Sequence, residues 1–334
     1  MSVARITVLG AGSWGTALGI QLARMGHEVR LWARDAGQAA AIESERLNRR
    51  YLPDNPLPDN LHCSSDFDRL CRDAERILVV TPSHAFAETL DRLAAHISPA
   101  TGLAWASKGF EPGTGRLLHE VARDRFGQDI PLALVTGPSF AREVAAGLPT
   151  AVTVAASDAA FGQAWAALLH GCSFRAYYTA DLVGAELGGA IKNVLAVACG
   201  MADGLGLGHN TRAAQITRGL AEMMRLGRAL GADDHTLMGL AGIGDLVLTC
   251  TGDLSRNRRL GLALGQGRTL EEAVAEIGQV VEGIKTAEEV MRLAKRAGVE
   301  MPISEQVHGI LYRGWSARKG VQVLMERDLK RETE

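Results

Sequence analysis

Residues 6–15 read ITVLGAGSWG. Ile6 to Leu9 is a short apolar, branched run, the composition of a buried strand. Gly10, Gly12 and Gly15 then fit G-x-G-x-x-G, and a helical pattern opens at Ser13 and continues to about Met25. A glycine turn that follows a strand and opens a helix has a mechanism. The glycines allow a tight turn and close approach of the backbone, and the helix N-terminal amides then face a pyrophosphate. Ser13 and Trp14 lie on that turn and are candidate cofactor contacts. The alternative is a tight turn without a ligand.

The next strand, Glu28–Ala33, ends where such a fold reads the ribose. An acidic residue there favours NAD, but the chain has Trp32-Ala33-Arg34-Asp35. The Arg34 guanidinium can pair with a 2′-phosphate, so NADPH is expected to be accepted. The other reading makes Arg34 a solvated residue at a helix start and gives the ribose to Asp35.

Further strands are expected at residues 77–80, 103–106, 132–136, 151–155 and 174–177, mostly separated by helical stretches, with a proline-rich loop, YLPDNPLPDN, at 51–60. Continuous apolar strands alternating with helices argue for a doubly wound, mainly parallel Rossmann-type sheet. After about Thr179 the strands stop. Helices are expected over 181–202, 211–230, 233–238, 255–264, 270–274, 286–297 and 304–311, with Asn210 and Ser304 as N-caps. The economical partition is an α/β domain, 1–179, followed by an all-α domain, 180–334. Gly204-Leu205-Gly206-Leu207-Gly208 follows a helix, not a strand, and reads as an interhelical loop.

The 334 residues exceed one ordinary core, and 47% hydrophobic with 22% charged residues is the profile of a soluble globular protein. A net charge of −2 gives no general attraction to nucleic acid or an acidic membrane. No stretch reaches about 18 uninterrupted apolar residues, so no membrane span is expected. The N-terminal apolar run is too short for a signal peptide core. Cys63, Cys71, Cys172, Cys199 and Cys250 form no C-x-x-C pair and no metal spacing. They read as free thiols in a reducing cytosol, and no metal is expected.

Polar residues in apolar surroundings mark the candidate chemistry. In the helical run ELGGAIKNVLAVACG, 186–200, Lys192 and Asn193 interrupt small and branched apolar residues. Only six lysines occur, and the other 30 of the 36 basic residues are arginine. A lysine there suggests a group that must lose its proton near neutral pH, which arginine cannot do. Burial and a nearby cation such as Lys108 would lower its pKa, fitting it to exchange a proton with an alcohol or a forming alkoxide. Gly188 and Gly189, one turn earlier, suggest that a nicotinamide or substrate approaches the backbone. Otherwise Lys192 snorkels to solvent.

Ser107-Lys108-Gly109 and Gly137-Pro138-Ser139-Phe140-Ala141 follow strand ends, where open sheets bind ligands. Asp245 is isolated in GLAGIGDLVLTCT, 239–251, and Ser255-Arg256-Asn257 opens a helix as a candidate phosphate cradle. Lys108 could instead be a surface turn residue and Asp245 a helix cap, while Arg258 and Arg259 read as a solvated face.

The ordered segments GAGSWGTAL, SKGFE, GPSFAREV, VGAELGGAIKNVLAVACG, GLAGIGDLVLTC, SRNRRLG and VVEGIKTA resemble the motif set of bacterial NAD(P)-dependent glycerol-3-phosphate dehydrogenase, from residue 6 to about 312. The resemblance implies a Rossmann domain, a helical substrate domain, a homodimer and a cytosolic role in making the phospholipid backbone precursor. The implied reaction interconverts dihydroxyacetone phosphate and sn-glycerol 3-phosphate with NAD or NADP. It also implies that Lys192 is the catalytic base and that Lys108, Gly137, Ser139, Asp245, Ser255, Arg256 and Asn257 contact substrate. Asp245 and Asn193 are candidates to orient Lys192 or a substrate hydroxyl, and Lys108 to polarise the carbonyl oxygen or help anchor the substrate. The implied cofactor positions are Ser13, Trp14, Arg34, Lys108, Ala141, Arg256, Val280 and Glu282. The departures are Thr251-Gly252-Asp253 for a serine-containing turn and Thr81 where valine commonly precedes Pro-Ser. The rival readings are a keto-acid or β-hydroxyacid reductase of like architecture and a non-catalytic NAD(P) sensor.

Overall fold

Arg5–Leu9 forms β1, and its side chains alternate as the pleat requires, with Ile6 and Val8 in one core and Leu9 in another. The computed structural model describes residues 3–98, 100–171, 173–329 and 331–332; Cys172 and Lys330 lie outside the described residues. The other strands are Glu28–Trp32 (β2), Leu61–Ser64 (β3), Arg76–Val79 (β4), Leu103–Trp105 (β5), Leu132–Thr136 (β6), Thr150–Ala156 (β7) and Phe174–Thr179 (β8). They form one sheet in the order β3-β2-β1-β4-β5-β6-β7-β8. The pairs from β3 through β6 are parallel, β7 runs antiparallel to β6, and β8 is parallel to β7. The strand order reverses between β1 and β4, which opens the crevice where doubly wound sheets take ligands.

β3 was not expected from the sequence. It has four residues, Leu61 and Cys63 buried and His62 exposed, too short to stand out beside the proline-rich loop before it. All of the other strands appear near their expected places. The antiparallel β7 is reached through a link that carries the short helix Ala141–Ala145.

Beyond Thr179 the described chain is helical. Leu182–Gly204 is a 23-residue helix surrounded by others, and nearly all of it is buried. By length and composition it could cross a membrane, but 94% of its most apolar window is covered by protein. Around it pack Gly208–Ala229, Asp245–Thr251, Arg256–Gly265, Glu282–Ala297 and Pro302–Arg313. A last helix, Ala317–Met325, was not anticipated.

Ser255 caps its helix as expected, but the expected caps Asn210 and Ser304 are overturned. Gly208–Ala229 starts before Asn210, with Leu207 at the cap position and no side-chain acceptor. Pro302–Arg313 starts before Ser304, and Glu222 takes up its first amides, accepting from Ile303 N at 2.5 Å and Ser304 N at 3.2 Å. An acceptor so far away in sequence is invisible to local capping rules.

Four glycines let two helices touch backbone to backbone. A Cβ on Gly200 would lie 2.1 Å from Arg258 O, and one on Gly261 2.0 Å from Val197 O. Gly204 and Gly265 repeat the arrangement one turn on, at 2.3 Å from Leu262 O and 2.3 Å from Met201 O. Gly200→Ala is therefore expected to destabilise the fold by about 1–3 kcal/mol, because backbone cannot step aside as a side chain does. A urea midpoint equal to wild type would contradict this contact.

Cys63, Cys71, Cys199 and Cys250 are free and buried, and burial pushes the Cys63 and Cys71 thiols up to about 12.

Candidate active site

Asp181 caps the long helix by accepting from Gly184 N at 2.8 Å, and Lys192 sits near its middle, 7% exposed. It does not snorkel. Its Nζ donates to Asp245 Oδ1 at 2.5 Å and to Thr249 Oγ1 at 3.1 Å. Asp245 is the first residue of Asp245–Thr251, directly after a π-helical turn, Leu240–Gly244. It is 1% exposed and does not cap that helix; Gly244 holds the cap position. Thr249, one turn later, donates its hydroxyl to Asp245 O at 2.6 Å, which leaves its oxygen free to accept from Lys192.

The sheet supplies the second amine. Lys108 follows β5, and its Nζ donates to Asp245 Oδ2 at 2.7 Å and to Gly137 O at 3.2 Å. One buried carboxylate thus bridges two ammonium groups, one from each half of the chain, an oxygen to each. Burial drives the Lys192 amine down to about 7 against the pull of Asp245, and the Lys108 charge pushes it the same way. Burial alone would raise the Asp245 carboxyl, but the two ammonium charges outweigh it and hold the group below the usual carboxylate range. The site therefore holds a nearly balanced proton next to a fixed negative charge.

Gly188 and Gly189 have a different reason than the expected one. A Cβ on Gly188 would lie 2.2 Å from Ala241 O, and one on Gly189 2.9 Å from Thr136 Oγ1 and 3.6 Å from Lys108 Cγ. Protein backbone and side chains come close to the helix there, and the Lys108 stem runs past Gly189.

Asn193 does not orient Lys192. Its Oδ1 accepts from Asn257 Nδ2 at 2.8 Å, and Asn257 Oδ1 accepts from Gly283 N at 2.9 Å. Ser255 caps Arg256–Gly265 through Arg258 N at 3.2 Å, while exposed Arg256 donates to Val280 O at 2.7 Å. Glu282 accepts from Ser83 Oγ, after β4, at 2.9 Å. The segment from Val280 to Gly283 is so fastened both to the helical half and to the crevice. Arg258 is not solvated: its side chain is 12% exposed and pairs with Asp203 and Asp253, each within 2.9 Å. Asp253, in the departing Thr251-Gly252-Asp253 turn, thereby ties that turn to the helix it precedes.

At the glycine turn Gly10 takes φ 128°, where a Cβ would meet Val80 O at 2.6 Å. A Cβ on Gly12 would meet nothing within 4 Å. The helix Ser13–Arg24 has no side-chain cap, and Trp14 Nε1 is buried without a partner. Those are the features of a cradle for an anionic group beside a flat ring. Asp35 caps the helix Ala36–Glu45 through Gln38 N at 2.7 Å, which occupies its carboxylate and leaves exposed Arg34 as the free side chain at the end of β2. His84 is held low first by burial and then by the charges of Lys285 and Arg34, so this edge of the crevice is positive. Ser139 donates to Gly137 O at 2.9 Å, and Ala141 opens the helix Ala141–Ala145. Among the described residues no group of three His, Cys, Asp or Glu side chains could hold a metal ion.

Sequence reading missed Thr249 and Ser83. Thr249 had a usable signal: it stands four residues after Asp245, the spacing that puts two side chains on one helical face. Ser83 had none, because its partner is 199 residues away.

Two family models cover most of the chain. That of the NAD-dependent glycerol-3-phosphate dehydrogenase N-terminus matches residues 5–162, and that of the C-terminus matches 181–322. The glycerol-3-phosphate dehydrogenase, NAD(P)+, of Stenotrophomonas maltophilia is 60% identical over 328 residues, 98% of this chain and 96% of that one. The enzyme of the same name from Xanthomonas euvesicatoria pv. vesicatoria is 60% identical over 329 residues, with 98% and 96% covered. A crystal structure of glycerol-3-phosphate dehydrogenase from Coxiella burnetii superposes with a TM-score of 0.94 at 47% identity, covering 97% of this chain and 99% of that one.

Proposed function

The chain belongs to the NAD-dependent glycerol-3-phosphate dehydrogenase family, and from that premise we propose that Lys192 handles the proton as dihydroxyacetone phosphate and sn-glycerol 3-phosphate interconvert. It is an NAD(P)-dependent oxidoreductase acting on a CH–OH group. The observation that carries the reading of Lys192 is its buried amine, brought to about 7 beside Asp245 at the seam of sheet and helices.

When bound, the reduced nicotinamide supplies the hydride. Protonated Lys192 donates to the carbonyl oxygen of the ketone; neutral Lys192 accepts the hydroxyl proton in the reverse direction. Asp245 and Thr249 hold the amine in place, and Lys108 either polarises that oxygen or anchors the substrate. Gly137, Ser139 and Asn193 line the approach. Ser255, Arg256, Asn257 and the helix amides behind them hold the phosphate, which fixes the carbonyl for attack. Gly10, Gly12, Ser13, Trp14 and Gly15 cradle the pyrophosphate. Lys108, Ala141, Arg256, Val280 and Glu282 border the rest of the cofactor. Arg34 takes the 2′-phosphate, so NADPH is used as well as NADH.

The division into a cofactor domain, 1–179, and a substrate and dimerisation domain, 180–334, is part of the same proposal. So are the homodimer, the cytoplasmic location, the absence of membrane insertion or nucleic-acid binding, and the role in glycerophospholipid synthesis. A keto-acid reductase would need a carboxylate receptor in place of a phosphate cradle. A sensor would have no use for a lysine held at the edge of deprotonation.

Initial rates with dihydroxyacetone phosphate and each reduced nicotinamide test the reading. Turnover of a plain keto acid but not of the phosphorylated ketone would overturn it. Arg256→Ala is expected to raise the KM for dihydroxyacetone phosphate by about tenfold to a hundredfold, since a charge-assisted hydrogen bond contributes about 1.5–3 kcal/mol. A smaller change in kcat is expected, and an unchanged KM would remove Arg256 from the cradle.

A further inference from the structure

The segment from Ser107 to Leu117 brings Lys108 to Asp245, yet it contains no helix or strand of its own. Gly109, Gly113 and Gly115 take φ of 142°, 79° and 65°, so the backbone is built where wide latitude is available. Its tip is closed by Glu111 N to Arg116 O at 3.0 Å and Gly115 N to Glu111 O at 3.2 Å. Phe110 and Leu117 plug into the helical core rather than into either face of the sheet. The loop thus leaves the sheet but is seated on the other half of the molecule.

The polar part of that seat comes from one helix, Glu282–Ala297. Glu289, 5% exposed, accepts from Gly113 N at 2.7 Å. Arg296 donates to Thr114 O at 3.0 Å and to Gly115 O at 3.3 Å. A Cβ on Gly115 would lie 3.0 Å from Glu289 O, so loop and helix backbones are in contact. The second Glu289 oxygen, Oε2, is buried without a hydrogen bond, and its nearest counter-charge is Arg292 Nε at 3.7 Å. A carboxylate buried with one oxygen unbonded costs stability that an apolar side chain would not. The other oxygen, Oε1, holds Gly113 N.

We propose that Glu289 is a positioning residue for the reaction: by gripping Gly113 it fixes the loop that sets Lys108 against Asp245. The proposal rests on Lys192 being the proton-transferring group. The largest charge effects on Lys192 come from Asp245 and Lys108, and the buried Cys250 thiol also faces it; Glu289 grips the loop that carries Lys108. If the loop is released, Lys108 withdraws from Asp245 and its repulsion of a protonated Lys192 weakens. The Lys192 proton is then held more tightly.

The test is the pH dependence of kcat/KM for reduction of dihydroxyacetone phosphate in wild type, Glu289→Ala, Glu289→Gln and Arg296→Met. Reduction needs protonated Lys192, so its rate falls as pH rises through the lysine's pKa. Glu289→Ala is expected to lose about tenfold in rate, because misplaced catalytic groups are costly, and to move this alkaline limb up by about half a pH unit or more. Glu289→Gln keeps an oxygen for Gly113 N and should restore both values toward wild type. Arg296→Met should move the limb in the same direction by less. A Glu289→Ala enzyme with reduced rate or melting temperature but an unmoved limb would make the residue merely structural and overturn the proposal. So would a Gln variant displaced as far as the Ala variant. If Glu289→Ala does not fold, an unmoved limb in Arg296→Met has the same force. Failure of the underlying assignment looks different: the wild-type enzyme would show no alkaline limb, or the limb would survive in Lys192→Ala.

Discussion

Lys192→Ala is expected to lower kcat by about 10²–10⁴ in both directions, the usual worth of a positioned acid or base. The affinity for the nicotinamide should stay near wild type, because the glycine turn and Arg34 lie on other elements. The pH behaviour gives the finer test. With the amine brought to about 7, reduction should lose rate as pH rises through that value and oxidation should gain it. The alanine variant should show neither dependence. Lys192→Arg should keep the positive charge but remain nearly as slow, since a guanidinium does not give up its proton. Wild-type turnover in either variant would end the assignment.

Asp245→Asn should do comparable damage by another route. The carboxylate pairs with both lysines, at 2.5 Å and 2.7 Å. Without it Lys192 keeps the burial and the Lys108 repulsion that lower its pKa and loses the partner that raises it. The amine should be neutral at neutral pH. Reduction should then fall by about 10²–10³, with its alkaline limb displaced to lower pH. This displacement is opposite in sign to the one expected when Lys108 withdraws, so the two neighbours of Lys192 are separable by experiment. Removing one member of a buried charge pair also costs about 3–5 kcal/mol, which a denaturant titration would detect. An asparagine enzyme with the wild-type limb would mean that Asp245 does not set the proton affinity of Lys192.

What could be read in the sequence depended on how local the cause was. The turn at Gly10–Gly15 was legible because strand, glycines and helix start are contiguous. Lys192, Asp245 and Lys108 were legible as polar residues where apolar ones were expected, and only as individuals. That both lysines meet on one carboxylate depends on tertiary packing, of helix on helix across 53 residues and of a loop on a helix across 137. The same distance hid Glu222 as the acceptor at the start of Pro302–Arg313, so that Ser304 looked like the cap. Gly188 and Gly189 were correctly seen as sites of close approach, but a sequence does not say what approaches. β3 was lost because alternation over so few residues carries little signal.

The glycine seam between Leu182–Gly204 and Arg256–Gly265 has a consequence for motion. Side chains that interdigitate can change rotamer and let helices slide, whereas main chains in direct contact have no such freedom. The amine of Lys192 and the Ser255-capped start of the second helix are therefore parts of one stiff strut. Thermal fluctuation should leave their separation unchanged, and adjustment to a substrate must come from the loops that bridge to the sheet. Amide exchange should accordingly be slow and concerted along both helices.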